Sequence, residues 1–240
     1  MRAMQRRQLL GIFASAALSF PLAAQTKNQP GRLVIIGGAE DRKQDRIILR
    51  KFLELSGGPN AKIRFITAAS GVPEAVWASY QAAFQDLGAL NCDVVPIRTR
   101  EDASLPEVVS QLADADGIFI TGGDQTRLMQ CLWESPAAQA MHRAFHLNGT
   151  CIAGTSAGAA VMSRHMLAQG TPTPAPAKDV VSMDIGLSFM PNAIVDQHFS
   201  QRHRLSRLIS ALAQRPDLLG VGIDEDTALV LEPNQSVEIV

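Results

Sequence analysis

Aromatic residues are scarce in this 240-residue chain: Phe, Trp and Tyr make up 5%, with a single tyrosine and two tryptophans. With 46% hydrophobic residues, its core must be built mainly from Ala, Val, Leu and Ile, the usual make-up of layered α/β proteins. Charge of one sign is lacking too. Lys+Arg number 22 against 23 Asp+Glu, for a formal net charge of -1, which excludes a nucleic-acid binder working through bulk positive charge. The apolar content excludes a disordered chain. Cysteine is rare: Cys92, Cys131 and Cys151 are too few and too far apart for a small disulfide scaffold, and an odd number cannot all pair. Buried free thiols are expected, in keeping with folding in a reducing compartment, with one disulfide plus one thiol as the alternative.

Long apolar runs are also missing. The uncharged stretch Leu9–Phe20 is too short to span a bilayer comfortably. Preceded by Arg2, Arg6 and Arg7 and followed by Pro21-Leu22-Ala23-Ala24, it reads as an export signal over residues 1–24, cut after Ala24. Arg6-Arg7-Gln8-Leu9-Leu10 fits a twin-arginine signal, and an ordinary secretory signal fits equally well. An exported protein, periplasmic or extracellular and without a stable membrane anchor, is expected. Losing three arginines and no acid leaves 19 basic against 23 acidic residues, a mature charge of -4.

Residues 25–240 read as one catalytic domain. From Arg32 onward, short apolar runs alternate with amphipathic stretches, the pattern of parallel strands joined by helices. Strands are expected at Leu33–Ile36, Ile63–Thr67, Asp93–Ile97, Gly117–Thr121, Cys151–Gly154, Ala193–Val195 and Ala228–Leu231. Helices are expected near Asp45–Leu55, Pro73–Leu87, Pro106–Ala113, Gln125–Leu132, Ala137–Leu147, Ala157–Arg164 and Arg202–Ala213. The proline-rich stretch from Gln169 to Asp179 reads as a loop.

Ligands of an open parallel sheet bind at the carboxyl ends of its strands. Three glycine turns fall there: Gly37-Gly38-Ala39-Glu40, Gly122-Gly123-Asp124-Gln125 and Gly154-Thr155-Ser156-Ala157-Gly158. The last is a G-x-S-x-G nucleophile elbow between a strand and an Ala-rich helix, which puts Ser156 Oγ at a helix start with the Ala157 N–H able to face an oxyanion. Among five histidines, His198 follows a strand directly in Asp196-Gln197-His198-Phe199 and is the candidate base, with His203 as fallback. His142 and His146, spaced i, i+4, have the geometry of a metal pair but no third ligand nearby in sequence; a solvated helix face is the preferred reading. For the orienting carboxylate, spacing does not choose among Asp224, Glu225 and Asp226, while the α/β-hydrolase chain order would require Asp184 or Asp196.

Taken together, Gly-Gly-Ala-Glu at 37–40, Thr121-Gly122-Gly123-Asp124-Gln125, the elbow, the D-Q-H-F-x-x-R-x-R-x-x-R-L string from Asp196 and Gly222-Ile223-Asp224-Glu225-Asp226-Thr227-Ala228 resemble the serine peptidase family of cyanophycinases and aspartyl dipeptidases. The resemblance runs from about Gly31 to Leu231. It implies a class I glutamine amidotransferase-like, flavodoxin-like α/β fold: a three-layer sandwich with a mostly parallel sheet and helices on both faces. It also implies a Ser156–His198–Glu225 triad, an oxyanion hole of Gly123 and Ala157, and substrate contacts from Gln125, Asp196, Gln197, Arg202, Arg204 and Arg207. No metal or organic cofactor is implied.

The implied substrate is cyanophycin, an aspartate backbone with arginine on each side-chain carboxyl group, cleaved to β-aspartyl-arginine dipeptides. Short aspartyl or isoaspartyl peptides are the alternative substrate, and an idle binding protein on the same fold is the alternative function. A homodimer is compatible with the resemblance. In a helix Arg204 and Arg207 would share a face that excludes Arg202, so Arg202 is expected in an irregular entry turn. Two departures stand out: Ala39 where the family often has glycine, and a chain that stops at Val240 without the last strand usual in relatives.

Overall fold

The computed structural model describes residues 29–170, 173–177 and 180–240. The expected signal segment lies outside them, as do Thr171, Pro172, Lys178 and Asp179 of the proline-rich stretch. Five short strands run parallel: β1 (Leu33–Ile36), β2 (Ile63–Ile66), β3 (Cys92–Val95), β4 (Gly117–Ile120) and β5 (Cys151–Thr155). The antiparallel strands β10 (Ala228–Leu231) and β11 (Val237–Ile239) extend the β1 edge, giving the order β11-β10-β1-β5-β4-β2-β3. Every residue of β1, β4 and β5 is buried, the reason these segments read as unbroken apolar runs.

Alternate residues serve opposite faces. Leu33, Ile35, Ile118, Ile120 and Ile152 pack under α3 (Pro106–Ala113), α4 (Gln125–Leu132) and α5 (Pro136–Asn148). Val34, Ile36, Phe65, Phe119 and Ala153 pack under α1 (Ile47–Leu55) and α2 (Pro73–Asp86). The expected three layers are therefore present. Few as they are, the aromatics are concentrated on the second face, where the Phe119 ring lies 5.4 Å from Phe52, 5.3 Å from Phe65 and 4.9 Å from Tyr80.

Several elements differ from expectation. The helix expected over Ala157–Arg164 is one turn, α6 (Ala157–Ala160). Beyond it the Val161, Met162 and Ser163 carbonyls accept from the Leu187, Met190 and Ser188 amides, so the backbone leaves the helix to meet the segment after Ile185. The residues that follow form a hairpin not anticipated, β6 (His165–Gly170) with β7 (Val181–Ile185), and the first two residues of the expected loop belong to β6. The strand expected at Ala193 lies outside the central sheet: β8 (Ala193–Gln197) pairs in parallel with β9 (Leu219–Ile223), and α7 (Leu205–Gln214) joins them. The β9 sequence, Leu-Gly-Val-Gly-Ile, hides its strand because two glycines interrupt the apolar run.

All three cysteines are free, Cys131 and Cys151 buried and Cys92 partly so. Among the described residues no helix is long and apolar enough to cross a membrane.

Truncating Phe119 removes the ring at the centre of the aromatic cluster. Phe119→Ala is expected to lower stability by about 3–5 kcal/mol. In urea this reads as a lower unfolding midpoint with an unchanged slope.

Candidate active site

The carboxyl ends of β1, β4 and β5 lie side by side in the sheet, and the turns that leave them meet the ends of β8 and β9. Ser156, directly after β5, has φ 53 and ψ -113, a conformation costly for a residue with a side chain and typical of functional turns. The turn is tight because the chain doubles back closely. A Cβ on Gly158 would lie 2.2 Å from the Ile120 carbonyl oxygen, so only glycine fits there. The Ser156 N–H donates to Ile36 O at 3.0 Å, fixing the elbow to β1.

Ser156 Oγ lies 2.9 Å from His198 Nε2, and His198 Nδ1 lies 2.6 Å from Glu225 Oε1. With Glu225 as the acceptor, Nδ1 carries the proton and Nε2 is free to accept from the serine hydroxyl. Such a chain can take a proton from the hydroxyl and hold the resulting imidazolium against a carboxylate. His198 is buried, its backbone lies at φ 48, and its N–H donates to Gly37 O at 2.8 Å. The imidazole rests on Gly38, where a Cβ would lie 2.4 Å from the ring and where φ is +109. Burial pushes the His198 pKa down, the Glu225 hydrogen bond opposes this, and the Arg202 cation adds to the depression.

The neighbouring carboxylates are otherwise engaged. Asp224 Oδ1 accepts from Ser200 N–H at 2.8 Å, and Asp226 Oδ1 accepts from Asp41 N–H at 2.9 Å. Asp196 is fully buried, with Arg207 Nε on one oxygen at 3.0 Å and Arg207 Nη2 and Arg204 Nη1 on the other. Asp184, on β7, accepts from the N–H of Ile185. The two residues that the hydrolase order would have required are thus occupied elsewhere.

The three arginines divide as their spacing suggested. Arg202 is exposed in the turn before α7, whereas Arg204 and Arg207 are buried. Arg204 Nη1 also donates to Gln197 O and to Gln197 Oε1 at 2.6 Å, and its buried Nε has no partner among the described residues. Burial and the adjacent Arg207 lower its pKa to about 10, against the pull of Asp196. Arg207 Nη1 donates to Gly170 O, and Gln125 Nε2 donates to Leu167 O and Ala168 O, so both side chains grip strand β6. Asp124 caps α4 by accepting from the Thr126 and Arg127 amides. Among the described residues, neither the Gly123 nor the Ala157 N–H donates to a backbone carbonyl.

The other histidines lie elsewhere. His142 Nε2 donates to Leu187 O at 2.6 Å, and its ring stacks with His146 and Phe189. His165 meets Arg215, and His203 is exposed in the turn before α7.

The profile of Peptidase family S51 matches residues 33–239. The chain belongs to this family. It is accordingly a serine peptidase. The Nostoc sp. cyanophycinase is 41% identical over 208 residues, 87% of this chain and 70% of that protein. The Synechococcus elongatus cyanophycinase is 39% identical over 216 residues, covering 90% and 67%. Among solved structures, a peptidase from an acI-B1 Actinobacterium superposes on this S51 peptidase with a TM-score of 0.68 at 25% identity, covering 90% of this chain and 89% of the other. The putative peptidase E protein of Listeria monocytogenes shares the fold, with a TM-score of 0.61 at 18% identity and coverage of 88% and 98%.

Glu40, in the glycine turn after β1, is a buried carboxylate that accepts from Thr155, the neighbour of Ser156, a contact between residues far apart in the chain that no local motif signals.

A pH profile tests the electrostatics. With His198 as the general base, the acid limb of kcat/KM is expected below the ordinary histidine value of 6.5, since the site disfavours protonation of the imidazole. Arg202→Gln removes a nearby cation, so the imidazolium becomes easier to form and the limb should move to higher pH. An unmoved limb would mean that Arg202 does not act on His198.

Proposed function

We propose that this S51 peptidase hydrolyses cyanophycin to β-aspartyl-arginine dipeptides, with Ser156 as nucleophile, His198 as general base and acid, and Glu225 as the orienting carboxylate. Ser156 Oγ attacks the scissile carbonyl as its proton passes to His198 Nε2, and the tetrahedral oxyanion is met by the amides of Gly123 and Ala157. The imidazolium, held by Glu225, returns the proton to the leaving amine. Water then repeats the sequence on the acyl-enzyme. The substrate assignment is carried by the 41% identity to the Nostoc cyanophycinase over most of this chain.

Guanidinium groups suit the carboxylates of such a substrate. In this reading exposed Arg202 meets a substrate carboxylate directly. Arg204 and Arg207, buried and tied to Asp196 and Gln197, back the site behind it, and Gln125 borders the cleft beside β6. The acidic mature surface carries no bulk attraction for polyanions, so recognition is local.

Ser156→Ala is expected to lower release of β-aspartyl-arginine from insoluble cyanophycin by about 10⁴-fold or more, with folding intact. Mass spectrometry of the soluble products reads the result. Full release by Ser156→Ala would overturn the mechanism. Cleavage of short isoaspartyl peptides with none of the polymer would select the dipeptidase reading, and failure of the wild-type serine to react with a phosphonate would select the idle binding protein.

We also propose export, supported by the arginines and the uncharged run before Ala24. Protein isolated from the periplasm or medium should begin at Gln25 by N-terminal sequencing. Unprocessed chain confined to the cytoplasm would overturn this reading.

A further inference from the structure

Glu40 is 4% exposed, and its two oxygens face two different elements. Oε1 accepts from the hydroxyl of Tyr80 on the buried face of α2, and Oε2 accepts from Thr155 Oγ1 at 2.5 Å. Thr155 ends β5 and precedes Ser156. Glu40 itself belongs to the turn whose Gly37 carbonyl accepts from His198 N–H and whose Gly38 carbonyl accepts from Asp226 N–H, beside Glu225. One turn thus touches the backbone that carries all three members of the Ser156–His198–Glu225 chain.

A buried carboxylate is costly unless its lone pairs are filled. Here each oxygen accepts from one hydroxyl donor, and the Arg42 guanidinium lies 5.0 Å from the centre of the Tyr80 ring. Burial, followed by the charge of Glu40, pushes the Tyr80 pKa well above its ordinary value, which keeps the phenol a donor. An amide in place of the carboxylate would present one acceptor and one donor, forcing one hydroxyl to reverse. Only a carboxylate accepts from both at once.

We propose that Glu40 is a positioning residue for the reaction: through Thr155 and the Gly37–Gly38 turn it sets the register that brings Ser156 Oγ onto His198 Nε2. This rests on the triad reading above. Misplacement of reacting groups by fractions of an ångström to one ångström lowers turnover without abolishing binding.

The test compares Thr155→Val, Glu40→Gln and the double variant, with kcat and KM measured on a soluble aspartyl-arginine substrate and folding checked by circular dichroism. Each single variant should lose about 10- to 100-fold in kcat with KM within about twofold of the parent. The double variant should be no slower than the worse single, because both substitutions break one link. Thr155→Ser, which keeps the hydroxyl, should restore kcat. Folded Thr155→Val and Glu40→Gln proteins with parental kcat would overturn the proposal, as would losses that multiply in the double variant. Should Glu40→Gln not fold, Tyr80→Phe removes the donor on the far side of Glu40: lowered kcat at constant KM supports the role, and unchanged kcat overturns it. Ser156→Ala run in parallel separates the two claims. Activity there overturns the triad reading, whereas an inert Ser156→Ala beside a fully active Thr155→Val overturns the role of Glu40 alone.

Discussion

The peptide groups of Gly37 and Gly38 hold the site together. The Gly37 N–H donates to Thr227 O, its carbonyl accepts from His198, and the Gly38 carbonyl accepts from Asp226. These bonds join the end of a central strand to the segment after β8 and to the turn between β9 and β10. They fix the backbone of the histidine and of the acidic turn against the strand beside the serine elbow, where Ser156 Oγ and His198 Nε2 lie 2.9 Å apart. The left-handed backbone at Gly38, Ala39, Ser156, His198 and Asp226 is the conformational cost of bringing these ends together. Ala39 carries part of it at φ 52, where glycine would be at ease.

Charge follows the same division of labour. Asp196 and the two buried arginines form a closed cluster behind the histidine, with both carboxylate oxygens occupied. Breaking one side of such a cluster leaves uncompensated buried charge, so it acts first on the fold and only through the fold on chemistry. Arg202, two residues from Arg204 in the same turn before α7, retains its solvent exposure. Residues two apart in one motif thus have different surroundings, because the turn before α7 points one to solvent and the other inward.

The central sheet was legible because β1, β4 and β5 are buried on both faces, a condition that writes itself into the chain as apolar runs. The β6–β7 hairpin was not. His165, Gln169 and the charged end of β7 mix polar and apolar residues, as expected of strands outside the core. Ser156 and His198 were legible from the elbow and from a strand end. Three adjacent acids at 224–226 left the third partner open, and its selection depends on contacts distant in sequence: Ser200 occupies Asp224 and Asp41 occupies Asp226, leaving Glu225 for the imidazole. Glu40 was overlooked because its partners, Tyr80 and Thr155, are 40 and 115 residues away. The available signal was a charged residue closing the glycine turn after a fully apolar strand.

The free cysteines have a chemical consequence. Burial raises the Cys151 thiol to about 12 and the Cys92 thiol to about 11, and raises that of Cys131 as well. All three thiols are thus held further toward the protonated form than a free cysteine. Cys92, Cys131 and Cys151 are therefore poorer nucleophiles than an exposed cysteine. A serine-directed reagent used to test the proposed role of Ser156 thus meets weakened competition from these thiols.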